Sequence, residues 1–141
     1  MFPLKIRESR QGGGVIRTIL GIDEGEGSVT FAGDLPEGWV AKLVRTDLDQ
    51  LVAGAGTAAE QVAAAAIQPQ FTLAVSCIGR RMLLQQRVGE ELRSLREKLG
   101  VATPVAGFYS YGELAPSRAG GSCELHNQTM TVTCFAERDA S

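Results

Sequence analysis

The hydrophobic pattern divides the chain into a strand-like first third and a mixed remainder. Residues 4–6 form a short apolar–polar–apolar run, and residues 15–22 are rich in β-branched side chains, which suit a pleated, half-buried surface. Residues 23–27 are acidic and Gly-rich, residues 28–32 return as a strand, residues 34–38 turn again, and residues 39–44 make the next strand. Gly and Asp at these breaks supply the backbone conformations that hairpin turns demand. The run 12–14, three consecutive glycines, reads as a further flexible turn.

From Thr46 the period changes. Leu48, Leu51, Val52, Ala55, Ala59, Val62, Ala63 and Ala66 recur at helical spacing, as one face of a helix requires. Thr46 followed by Asp49 has the polarity of a capping box, with Asp in place of Glu or Gln. Gly54 and Gly56 each weaken such a helix by about 1 kcal/mol, and small residues here allow close packing on a sheet. Pro69 ends the segment. Residues 71–77 are continuously apolar, the mark of a buried central strand. Gly79 turns the chain and Arg80-Arg81 opens a second helix. Its stripe runs through Leu84, Val88, Leu92, Leu95 and Leu99, with Arg87, Glu91, Arg93 and Lys98 on the wetter faces. Gly100 suits the position just past its end. Residues 104–109 read as a strand. Residues 111–116 lead into a polar loop over 117–122, and residues 123–126 read as a short strand. Residues 130–135 alternate with period two as a last strand, before a polar, frayed tail at 137–141. These elements predict an α+β fold: a two-layer sandwich with a largely antiparallel sheet of about six to seven strands covered by two main helices.

Composition narrows the class. The 141 residues suit one domain, with 44 % apolar and 21 % charged residues. A net charge of -2 and the absence of clustered Lys and Arg argue against nucleic acid or an anionic membrane as partner. No apolar run approaches the length of a membrane helix. Three widely spaced cysteines and one histidine form neither a disulfide framework nor a zinc site, so a reducing, cytoplasmic setting is expected, with no metal and no cofactor.

Three segments in order carry a resemblance: Ser76-Cys77-Ile78-Gly79-Arg80, then residues 107–116 around Tyr109, Tyr111 and Glu113, then residues 125–133 around His126-Asn127-Gln128. Together with residues 16–23 and Pro36-Glu37-Gly38, they resemble the FIST C-terminal domain over nearly the whole chain. The resemblance implies an intracellular sensory module of signalling proteins, found also in F-box proteins, that binds small molecules such as amino acids. It also implies an N-terminal FIST half as partner, so residues 1–141 are expected to be a fragment of a longer protein, and a downstream signalling protein as a second partner.

Candidate chemistry falls in the same segments. Cys77, Gly79 and Arg80 sit where a strand meets a helix. Free amides and a guanidinium there would form an anion site and lower the pKa of the thiol; the plainer reading is a turn, a small buried Cys and a solvated cap. Tyr109, Tyr111 and Glu113 fall on one face at strand spacing, as a pocket wall with Glu113 taking an ammonium group, or as the exposed face of an edge strand. His126, Asn127 and Gln128 offer donors and acceptors for an α-amino acid or amide, or serve as a turn that bonds its own backbone. A non-enzymatic small-ligand sensor is the expected function. The alternatives are a protein-interaction scaffold and a cysteine hydrolase using Cys77 as nucleophile, His126 as base and Asn127 or Glu113 as orienter.

Overall fold

The computed structural model describes residues 3–9, 13–64, 69–100, 102–116 and 120–137. The α+β class holds, with ten strands, two long helices and one short helix among the described residues. The strands do not form one sheet. They divide into two three-stranded sheets and two hairpins.

In the first sheet, β1 (Leu4–Arg7) pairs antiparallel with β2 (Val15–Arg17) on one side and β5 (Val40–Leu43) on the other. The expected strand over 15–22 is broken at Thr18, because the Thr18 N–H leaves the ladder and donates to Asn127 Oδ1 at 3.1 Å. Beyond the break, β3 (Ile19–Asp23) and β4 (Ser28–Phe31) form a separate hairpin. Its turn is held by Asp23 Oδ1, which accepts from the amides of Gly25 and Glu26, and by Gly27 at φ 61°.

Helix α1 (Leu48–Ala63) is capped by Asp47, whose carboxylate accepts from the amides of Asp49 and Gln50. The cap lies one residue beyond the expected Thr46, because the Thr46 hydroxyl donates instead to Gln128 Oε1 at 3.5 Å. The expected continuation of this helix through Ala66 toward Pro69 falls on residues 65–68, which lie outside the described residues, as do Gly12, residues 117–119 of the polar loop and residues 138–141 of the tail.

The second sheet has the order β10-β6-β7. β6 (Phe71–Cys77) is its central strand, as its continuous apolar run predicts. β10 (Met130–Phe135) pairs with it antiparallel and β7 (Val105–Ser110) parallel. A parallel neighbour requires a crossover. That crossover consists of α2 (Ile78–Leu84), a 3-10 turn (Gln85–Arg87) and α3 (Val88–Leu99). The single helix expected after Gly79 is thus two helices, bent at Gln85, which closes α2 with φ 49°. Glu91, assigned to a wet face by periodicity, is buried because it pairs with the buried Arg80, while Leu92 is exposed. Gly100 follows α3 at φ 89° and donates to the Arg96 carbonyl, as its position predicts. Finally, β8 (Glu113–Pro116) and β9 (Cys123–His126) form a hairpin that sets Glu113 opposite His126.

The helices cover one face of the second sheet. Ala55 and Ala59 of α1, Ala74 of β6 and Leu95 and Leu99 of α3 form the apolar core. The small residues of α1 meet α3 more closely than they meet a sheet: a Cβ on Gly56 would stand 2.6 Å from Ser94 Oγ. The opposite face of the second sheet carries Phe71 and Phe135, their rings 5.8 Å apart, with the exposed Phe108 further along the same face opposite Val75.

Candidate ligand-binding site

The strand β6 ends at Cys77, which is buried and begins α2 without a side-chain capping bond. Its backbone N–H donates to the Thr129 carbonyl at 2.9 Å. Gly79 is buried under the side chain of Gln128, where an added Cβ would lie 3.3 Å from Gln128 Cγ. Arg80 is buried as well. Its Nε donates to Glu91 Oε1, its Nη2 to the Leu51 carbonyl at 2.6 Å, and its Nη1 to the Gln128 carbonyl at 3.3 Å. The guanidinium therefore joins α1, α2, α3 and the β9–β10 turn, and its charge is matched internally by Glu91.

Glu113 lies at the start of β8 with both oxygens occupied. Ser110 Oγ donates to Oε1 and Thr129 Oγ1 to Oε2, each at 2.6 Å. Thr129 thus links the Cys77 segment, through its carbonyl, to the Glu113 segment, through its hydroxyl. His126 Nε2 donates to the Ala115 carbonyl at 2.9 Å, which requires the proton on that nitrogen because a carbonyl only accepts. Asn127 accepts from the Thr18 amide and donates to the His126 carbonyl. Gln128, at φ 56°, donates from Nε2 to Thr18 Oγ1 at 3.2 Å.

The three sequence segments do converge. Cys77, Gly79, Arg80, Glu113, His126, Asn127 and Gln128 form one buried polar seam, and much of its bonding is internal. Two residues stand apart. Tyr111 is 87 % exposed, because β7 ends at Ser110 and β8 begins at Glu113, so the expected single face of Tyr109, Tyr111 and Glu113 is interrupted. Tyr109 is half-buried on β7, with the Arg81 guanidinium 5.0 Å above its ring, a favourable cation–π distance. Between Cys77 and His126 no hydrogen bond or ion pair is formed among the described residues. The α2 helix has only seven residues, too short for a strong anion site at its start.

A residue next to the seam was missed as a site candidate. Ser76 is 5 % exposed, and its Oγ is buried without a hydrogen-bond partner among the described residues. Such a hydroxyl carries a desolvation penalty of about 1–3 kcal/mol. Thr72, on the same side of β6, is satisfied by Cys134 Sγ at 3.3 Å. Ser76 borders a cavity of about 240 Å³ between β7 and α3. Ala74 and Met130 lie beside it, Leu92 closes it from α3, and β7 from Val105 to Tyr109 forms its rim. No charged side chain lines it among the described residues. The sequence sets two hydroxyls, Thr72 and Ser76, in this strand and does not tell which of them lacks a partner.

Among the described residues no group of three His, Cys, Asp or Glu side chains could hold a metal, and no helix is long and apolar enough to cross a membrane.

Fold and site together define a βαβ-containing sheet accompanied by a second three-stranded sheet and two hairpins, with a polar seam at the end of the βαβ sheet and a mainly apolar cavity at its edge. The chain belongs to the FIST C domain family, whose model matches residues 1–116, a family associated with signal transduction. The match includes the first two resembling segments and stops before residues 125–133. Neither a curated protein nor a solved structure matches the chain.

Proposed function

We propose that this domain is a cytoplasmic sensory module and that it receives a small, mainly apolar ligand in the cavity between β7 and α3. The observation that carries this reading is the Ser76 hydroxyl, buried at the cavity without a partner among the described residues. A ligand donor or acceptor there would remove the desolvation cost. The cavity of about 240 Å³ exceeds the roughly 150 Å³ that accepts benzene in an apolar protein core. An amino acid with an aliphatic or aromatic side chain matches that size. Its charged groups would stay at the mouth, since the lining carries no charge. The polar seam of Arg80, Glu113 and His126–Gln128 would then support the site from behind rather than touch the ligand. An N-terminal FIST half and a downstream signalling protein are the partners this function would use. The module works by binding rather than catalysis: His126 Nε2 is engaged by a backbone carbonyl.

The test is thermal unfolding with leucine, phenylalanine, phenethyl alcohol and p-cresol as probes, on the natural protein and on Ser76→Val, which fills the space and removes the hydroxyl. A ligand at ten times its Kd adds about 1.4 kcal/mol, or roughly 4 °C in Tm. The expected result is a rise with at least one probe that the variant lacks. No rise with any of them, or an equal rise in the variant, refutes the assignment.

A second reading, the interaction scaffold, is favoured by the exposed, touching rings of Phe71 and Phe135 on the uncovered sheet face. Phe71→Ser, away from the cavity, would abolish partner capture there and leave the small-molecule response intact.

A further inference from the structure

We propose that β7 accepts an additional strand: an extended segment of a partner protein, apolar at its centre and acidic on both sides. In the order β10-β6-β7, the outer edge of β7 has no ladder partner among the described residues. Alternate N–H and C=O groups over Val105–Ser110 therefore face outward. Natural edge strands are blunted by charge, proline or a bulge. The β7 sequence Val-Ala-Gly-Phe-Tyr-Ser has no charged residue and no proline, and its register against β6 is unbroken from Thr72↔Val105 to Cys77↔Ser110.

The Ser76 cavity follows this same edge. A strand laid along β7 would send every second side chain toward the helix side, over the cavity. Strand addition of this kind takes affinity from main-chain bonds and specificity from side-chain pockets. An apolar central residue suits the walls of Leu92, Val105 and Met130.

Charge selects the flanks. At one end Arg81 stands over Tyr109. At the other, Arg93 and Arg96 border a depression on α3 that reaches Leu92 and Val105, with Glu97 as the single acid there. Neither Arg93 nor Arg96 forms a salt bridge among the described residues. A second copy of this chain is a poorer occupant. Antiparallel self-pairing about a two-fold axis would bring the Arg93 and Arg96 end of one copy against the Arg81 end of the other, and like charges across an interface oppose association. The inference does not depend on the small-ligand reading, although a docked side chain and a small ligand would compete for one cavity.

The test uses a fluorescein-labelled seven-residue peptide, Asp-Asp-Val-Leu-Val-Asp-Asp, followed by anisotropy with the whole chain. Expected results are saturable binding, a loss of about tenfold in affinity in R93E/R96E, and a loss of about tenfold on N-methylation of one alternate set of peptide amides but not the other, since only one set faces β7. The inference is overturned by no binding up to about 1 mM, by equal effects of both methylation sets, by binding indifferent to charge reversal, or by sedimentation as a dimer that excludes the peptide. Binding of the peptide with no response to leucine, phenylalanine, phenethyl alcohol or p-cresol sinks only the small-ligand reading; the converse sinks only strand addition.

Discussion

Removing both members of the Arg80–Glu91 pair is expected to cost well below the two single removals added together. The side chains are 5 % and 1 % exposed, so neither charge can be rescued by water if the other is deleted. With charge centres about 4 Å apart and an effective dielectric near 20, the attraction is about 4 kcal/mol. Single removal from buried pairs costs about 3–5 kcal/mol. Glu91→Leu leaves the guanidinium buried and unmatched. Arg80→Met leaves the carboxylate unmatched and also strands the carbonyls of Leu51 and Gln128. Since a domain of this size has about 5–15 kcal/mol in all, either change would remove a large share of its stability. The double variant R80M/E91L removes both charges together and should cost less than the sum of the singles by about 3 kcal/mol. Urea unfolding followed by circular dichroism gives all three values, with Glu91→Gln as a milder member of the series. Additivity within about 0.5 kcal/mol would refute the claim that the pair acts as one unit joining three helices.

Three further outcomes are expected. Gly107→Ala should lower stability by about 3 kcal/mol, read as a fall in Tm, because its Cβ would lie 1.9 Å from the Ala74 carbonyl oxygen. Ser76→Ala should leave the ligand-free protein unchanged or up to about 1 kcal/mol more stable in urea, since the hydroxyl it removes has no partner among the described residues. The hydrogen bonds from Arg87 hold the Glu90 carboxyl below the usual carboxylate range. A depressed folded pKa means that its stabilisation is present above the ordinary carboxylate range and is lost as pH falls through the folded value. Arg87→Gln should therefore reduce the loss of stability on acidification, by a small amount because the pair is exposed.

Local patterns were sufficient where a neighbour in sequence decides the outcome. The continuous apolar run of residues 71–77 marks a central strand, and Gly100 marks the end of α3. They were insufficient where the deciding partner is distant. The split of residues 15–22 at Thr18 is caused by Asn127, 109 positions away. Glu91 shares a buried side with Leu95 and Leu99, at spacing four, because Arg80 neutralises it, and periodicity alone assigns any Glu to water. The meeting of the three site segments was legible from their polar character. Their extensive mutual bonding was not, since one-dimensional order does not tell a ligand's partner from a neighbour's. Ser76 was hidden for the converse reason: a missing partner leaves no trace in sequence.

The polar seam also explains how so small an apolar core specifies one arrangement. Of the five buried residues in the cluster between the helices and the second sheet, among the described residues, three are alanines, and each contributes little area at about 0.8 kcal/mol per buried CH₂. Such contacts are non-directional and would tolerate sliding of α1 over the sheet. The hydrogen bonds of Arg80, Thr129 and Asn127 do not, because a shifted register would leave buried donors and acceptors unmatched. These bonds run from the family-matched residues 1–116 into residues 125–129. β10 further supplies one of the two ladders of β6. The end of the family match at residue 116 is thus no physical boundary. A chain cut there would lose the antiparallel neighbour of its central strand, the acceptor for the Cys77 amide and a donor to Glu113 in one step.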